Sequence, residues 1–143
     1  MQVKIKWVDG VCFIGESDSN HLVKMDGPSE VGGMNKGMRP MEVLLVGMGG
    51  CTSFDVLTIL KKSRQKIVDC EALITAERSQ DVPKVFTKIH IHFIVRGDHL
   101  DNVVVARAIK LSAEKYCSAT IMLSKSVEIT HDFEIIEEPS VVI

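Results

Sequence analysis

The chain has 143 residues, of which 45% are apolar and 25% charged, with a formal net charge of −2. That balance suits one globular domain with its own core. It gives no global attraction to nucleic acid or to an anionic membrane. The opening segment MQVKIKWV alternates and has no apolar signal core, so nothing in it directs export. Four cysteines in a chain of this kind fit a reduced, cytoplasmic compartment, where they do not imply a structural disulfide framework.

Gln2 to Val8 sets Val3, Ile5 and Trp7 against Gln2, Lys4 and Lys6, the period of a strand with one buried face. Asp9-Gly10 follows as a type I′ hairpin signal, because both residues tolerate positive φ. Val11 to Glu16 is the returning strand and His21 to Met25 a third. Between Gly27 and Pro40, four glycines and two prolines predict a mobile loop.

A long helix is predicted from Pro40 to Arg64, with proline at its first position, where a missing N–H costs nothing. Met41 to Leu60 is apolar enough to raise a membrane span. Glu42, Thr52, Ser53, Asp55 and Thr58 interrupt it, and a core helix is the better reading. Because the helix is apolar nearly all round, it needs cover on every side. A six-stranded sheet covers one face only, which predicts a homodimer with the central helices packed between two sheets. Gly47, Gly49 and Gly50 either admit a second backbone or fit around a side chain of the same subunit.

Two more strands are predicted over Ile67 to Arg78 and Val85 to Arg96, the second with Ile89, Ile91, Phe93 and Val95 inward. Asp101 can cap a helix over Asn102 to Tyr116. The last strand sets Val127, Ile129, Phe133 and Ile135 against Glu128, Thr130, Asp132 and Glu134. The fold class is α+β, in the order βββ-α-ββ-α-β, within a single domain over residues 1–143.

Two of the four cysteines stand out. Cys51 lies mid-helix after two glycines, and Cys117 ends the second helix on the stripe Val105, Ile109, Ala113, Cys117. Cys12 and Cys70 lie in strands and read as small buried hydrophobes. Asp55 follows Cys51 by four residues on the same helical face, and a carboxylate beside a thiol opposes its ionisation. His90 and His92 share one side of a strand and could hold a metal, but no third ligand is evident, so an exposed sheet face is the better reading.

The segment Pro40-Met41-Glu42-Val43-Leu44-Leu45-Val46-Gly47-Met48-Gly49-Gly50-Cys51 resembles the helix that carries the first cysteine of the OsmC/Ohr family. Leu111-Ser112-Ala113-Glu114-Lys115-Tyr116-Cys117-Ser118 resembles the segment that carries the second, and with Val56 to Leu60 it is similar to the YhfA-like branch. The resemblance covers nearly the whole chain, with the two cysteines 66 residues apart on the matching helices.

It implies an OsmC-like fold in an intertwined homodimer, and thiol-dependent reduction of hydroperoxides, organic ones preferred, through a Cys51/Cys117 redox pair. It implies no metal, flavin or haem as cofactor, and a dithiol reductant as partner. In that family an arginine and a helix-start glutamate serve the cysteine; the candidates in this chain are Arg39 and Glu42. The apolar residues Met41, Leu44, Leu45, Met48 and Phe54 suit an alkyl substituent, or are simply core. The alternative reading is a non-catalytic dimer of the same fold that binds a small apolar ligand.

Overall fold

The computed structural model describes residues 1–139. They fall into two compact units, one over Met1–Val46 and one that begins at Gly47. In the first unit, β1 (Val3–Asp9), β2 (Cys12–Ser17) and β3 (Leu22–Met25) form an antiparallel meander in the order β1-β2-β3. The hairpin turn differs from the type I′ expectation: Asp9 pairs with Cys12, the central residues are Gly10 and Val11, and only Gly10 has positive φ, at 51°. Every described residue of β1 is exposed, with Val3 at 65%, Ile5 at 56% and Trp7 at 62%, so the apolar face read from the alternation is not covered within its own unit.

The glycine-rich stretch after β3 is a folded structure and not the open loop its composition suggests. A 3₁₀ turn spans Ser29–Val31, and Met25 bridges to Met38. The organiser is Asp26, only 2% exposed, which sequence reasoning passed over. Its Oδ1 accepts the Gly27 N–H at 2.8 Å, and its Oδ2 accepts those of Met34 at 3.2 Å and Lys36 at 3.0 Å. Small residues are required around it. A Cβ on Gly33 would lie 1.9 Å from the Gly27 carbonyl oxygen.

Helix α1 (Pro40–Lys62) begins as the sequence predicts, with proline first. It ends two residues short of the expectation because Arg64 turns left-handed, at φ 59°, while Gln65 N–H closes on the Leu60 carbonyl. The helix is not buried all round within the chain. Its covered positions are Met48, Gly49, Thr52, Val56 and Leu60, a single stripe at four-residue spacing, whereas Leu44, Val46 and Phe54 are exposed. Gly49 meets the Ile74 side chain, whereas a Cβ placed on Gly47 or Gly50 would meet, among the described residues, nothing within 4 Å beyond its chain neighbours and the backbone of its own helix.

The second unit contains β4 (Lys66–Arg78), β5 (Phe86–Asp98), α2 (Asn102–Leu111), a π turn over Ser112–Tyr116, α3 (Ser118–Leu123) and β6 (Glu128–Glu137). The strands form a second three-stranded sheet, so two three-stranded sheets stand where one of six was expected. β4 and β5 pair antiparallel, and β6 joins β5 parallel, the arrangement that a helical crossover permits. Ile89, Ile91, Phe93 and Val95 face inward at no more than 2% exposure, as the alternation requires. They share the core with Val56 and Leu60 of α1 and Val105, Ala108 and Ile109 of α2. Asp101 caps α2 as expected, its Oδ1 accepting the Val103 and Val104 amides.

The Asp26 carboxyl is held below its ordinary value, first by the Lys36 amide and further by the Gly27 and Met34 amides and the Arg39 charge, against the opposing effect of burial. A lowered folded pKa means that this contribution is complete above pH ~4 and fades as the pH falls through the folded value. Asp26→Asn leaves one acceptor oxygen where three amides converge. The variant is expected to melt several degrees lower at pH 7 and to show a flatter acid limb. Coincident melting curves for variant and wild type across pH 3–7 would contradict this account of the loop.

Candidate active site at Cys51 and Cys117

The second helical segment departs from the continuous helix that its stripe implied, and the departure builds the site. After Leu111 the backbone widens into a π turn, closed by Cys117 N–H donating 2.8 Å to the Ser112 carbonyl. One added residue shifts the inward face. Buried positions run Val105, Ile109, Ser112 and then Cys117, while Tyr116 turns out to 50% exposure and Ala113 is half-buried. Such turns inside helices concentrate at functional sites. Cys117 therefore does not end the helix; it is the N-cap of α3.

Ser112 is fully buried and anchored across the core. Its hydroxyl pairs with Thr52 Oγ1 at 2.9 Å and donates to the Thr52 carbonyl at 3.3 Å. The same hydroxyl lies 3.5 Å from Asp55 Oδ2. Thr52 sits beside Cys51 on α1, so this joint sets one cysteine opposite the other. The Cys51 and Cys117 sulfurs and an Asp55 carboxylate oxygen all lie within 4.8 Å of one another. All four cysteines are free thiols.

The two thiols have different surroundings. Cys51 is half-buried and Cys117 fully buried. The Cys117 sulfur accepts the Thr120 hydroxyl at 3.1 Å and the Thr120 amide at 3.4 Å. Burial raises the Cys117 thiol above its ordinary pKa, the neighbouring Cys51 adds to the rise, and the two Thr120 donors oppose it. Beside the site, an open cleft of about 390 Å³ is lined by Asp55, Thr58, Ile59, Lys62, Ser63, Leu111 and Tyr116. Its lining mixes apolar side chains (Ile59, Leu111, Tyr116) with polar and charged ones, Asp55 and Lys62 among them.

Of the residues singled out from sequence, Cys51 and Cys117 come together in the second unit. Arg39 and Glu42 come together in the first. Glu42 Oε2 accepts the Arg39 amide at 2.8 Å and closes the start of α1, and the Arg39 guanidinium donates to the Asp26 and Gly37 carbonyls and to Asn35 Oδ1. Cys12 is buried in β2. Cys70 on β4 is half-buried, and burial next to Asp69 and Glu71 pushes its thiol up to about 11. His90 and His92 do gain acidic neighbours from β6, Asp132 and Glu134, which sequence alone did not reveal. The contacts are an exposed hydrogen-bonded ladder, with Asp132 Oδ1 at 3.1 Å from His90 Nε2 and 2.6 Å from His92 Nδ1.

Thr52, Ser112 and Thr120 were missed. Their one signal is that they are hydroxyl residues at core positions, and such groups survive burial only when paired.

Thr120→Val keeps the shape and removes the hydroxyl donor. In a Cys12→Ser, Cys51→Ser, Cys70→Ser background it should lower the Cys117 thiolate fraction at a given pH by roughly two- to tenfold, the worth of one hydrogen bond. The ultraviolet absorbance of the thiolate against pH reads this directly. An unmoved titration would remove Thr120 from the site.

A family model described as OsmC-like protein matches residues 33–132 of the chain. Protein YhfA of Escherichia coli K12 is 50% identical over 136 residues, covering 95% of this chain and 98% of that protein. A hypothetical protein from Aquifex aeolicus VF5, known from its crystal structure, superimposes with a TM-score of 0.84 at 29% identity, over 96% of each chain. The organic hydroperoxide resistance protein OhrB of Bacillus subtilis shares the fold, with a TM-score of 0.64 at 17% identity over 94% of this chain and 98% of that one.

Proposed function

The chain belongs to the OsmC-like protein family, and from that premise we propose that it reduces organic hydroperoxides through Cys51 and Cys117. The observation that supports this reading best is the meeting of two free thiols from separate helices within 4.8 Å. The fold that the chain shares with hydroperoxide resistance proteins adds to it.

Accessibility assigns the roles. Cys51, the half-buried thiol, is the one a peroxide can reach, and its thiolate attacks one peroxide oxygen. The O–O bond breaks, the alcohol leaves with a proton, and Cys51 becomes a sulfenic acid. Cys117, buried behind it, condenses with the sulfenic acid, releasing water and leaving a disulfide. A dithiol reductant then restores both thiols by exchange in a reducing cytoplasm. The sulfurs must close to the ~2.05 Å of a disulfide from a separation of no more than 4.8 Å. No step calls on a metal or an organic cofactor. The cleft beside Asp55 suits an alkyl or aryl substituent against Ile59, Leu111 and Tyr116. Arg39 and Glu42 have their observed partners at the start of α1, which gives them a structural part in this scheme.

The protein acts as a homodimer in this reading. The support is the apolar surface that one chain leaves uncovered: Val3, Ile5 and Trp7 on β1 and Leu44, Val46 and Phe54 on α1. Exposed apolar side chains gathered on an element in this way mark an interaction site. A second reading, a non-catalytic binder of small apolar ligands, is favoured by Asp55, since a carboxylate beside the thiols works against thiolate chemistry.

Cys51→Ser should abolish reduction of cumene hydroperoxide with dithiothreitol as reductant, whereas Cys117→Ser should react once and accumulate a sulfenic acid that dimedone traps. If both variants turn over as fast as wild type, the peroxidase reading is lost. Thiols that ignore peroxide, together with a small apolar molecule retained through native mass spectrometry, would establish the binding protein.

A further inference from the structure

Two sulfurs and a carboxylate oxygen converging within 4.8 Å form a ligand set as well as a redox pair. We infer that the reduced protein binds a divalent cation of the zinc class at Cys51, Asp55 and Cys117, with the fourth position open to water or a small ligand. Tetrahedral zinc holds sulfur at about 2.3 Å and carboxylate oxygen at about 2.0–2.2 Å, so its ligand atoms stand roughly 3.5–3.8 Å apart. The three side chains need only draw together by a small rotamer adjustment.

The scaffold fixes these ligands well. Cys51 and Asp55 are four residues apart on α1, hence on one face and one turn apart. Cys117 reaches them from the start of α3, fixed in place by the π turn. Each outer ligand has a hydrogen-bonding neighbour of the kind that orients metal ligands. Thr120 donates its hydroxyl and amide to the Cys117 sulfur, and the Ser112 hydroxyl, held by Thr52, stands 3.5 Å from Asp55 Oδ2. Asp55 also lines the open cleft beside the site.

The charge balance points the same way. Among the described residues no lysine, arginine or histidine lies within 4.0 Å of the Asp55 carboxylate, and the groups acting on the Cys117 thiol include no cation. Two thiolates and a carboxylate in one half-buried place repel one another unless a cation joins them. A bound ion supplies that charge. On binding, the two thiols release their protons to solvent and no electrons move. Oxidation of the pair to a disulfide removes both sulfur ligands, so metal and disulfide exclude each other. The inference does not depend on peroxidase activity.

The test uses the reduced full-length protein with Cys12→Ser and Cys70→Ser, titrated with cobalt(II) as probe and then with zinc(II). Near-ultraviolet sulfur-to-cobalt charge transfer should appear, saturate at a single equivalent per chain, and vanish as zinc displaces cobalt. Cys51→Ser and Cys117→Ser should each cut that absorbance and weaken binding by at least tenfold. Asp55→Asn should keep both sulfurs and still bind roughly 10- to 100-fold more weakly. No charge transfer, or charge transfer unaltered by either cysteine variant, overturns the site. Asp55→Asn binding as tightly as the parent overturns the three-ligand assignment. Loss of thiols to cumene hydroperoxide is followed in parallel on metal-free protein. Peroxide consumption without cobalt binding defeats this inference alone, and cobalt binding by peroxide-inert thiols defeats the peroxidase reading alone.

Discussion

The buried hydroxyl pair Thr52–Ser112 is the joint on which the candidate site depends. It is a hydrogen bond between two helices in the core, 60 residues apart in sequence. Its net worth is only about 1 kcal/mol, but orphaning either hydroxyl costs about 1–3 kcal/mol, so the pair specifies register more than it adds stability. It places the helix residue after Cys51 against the first residue of the π turn. The five-residue step that follows brings Cys117 inward where a regular helix would have delivered Tyr116.

From that joint the different settings of the two sulfurs follow. The thiol on the long helix is half-buried beside a carboxylate, and the thiol on the short helix is buried and held by Thr120. In the proposed scheme the first meets the peroxide and the second meets only its partner sulfur. Asp55 is the discordant member. In a pair devoted to thiolate chemistry it is a burden, and it becomes useful if a cation shares the site. The neighbouring cleft, lined by apolar side chains together with Asp55 and Lys62, carries the same duality.

Much of this was legible in the residues. Strong local signals held: the alternation of Ile89, Ile91, Phe93 and Val95, proline opening α1, and Asp101 capping α2. The family resemblance marked Cys51 and Cys117, which spacing alone would have left as core thiols. Three features were hidden for physical reasons. The π turn was invisible because Val105, Ile109, Ala113 and Cys117 satisfy an unbroken helical period; only the hydroxyl of Ser112 at an inward position hinted otherwise. The folded loop was read as mobile because its glycines dominate composition, while its order comes from one carboxylate, Asp26, collecting three amides. The split into two three-stranded sheets depends on long-range pairing that strand periodicity does not encode. The apolar character of α1 was read as demanding cover on every side, whereas the chain covers a single stripe of it.

The central claim is that Cys51 and Cys117 act as one redox unit. The most direct test treats fully reduced wild-type protein with a single equivalent of cumene hydroperoxide and maps its disulfides by peptide mass spectrometry. The account predicts an intramolecular Cys51–Cys117 bridge, with Cys12 and Cys70 left as thiols. Four intact thiols, or bridges spread without preference over the four cysteines, would contradict it.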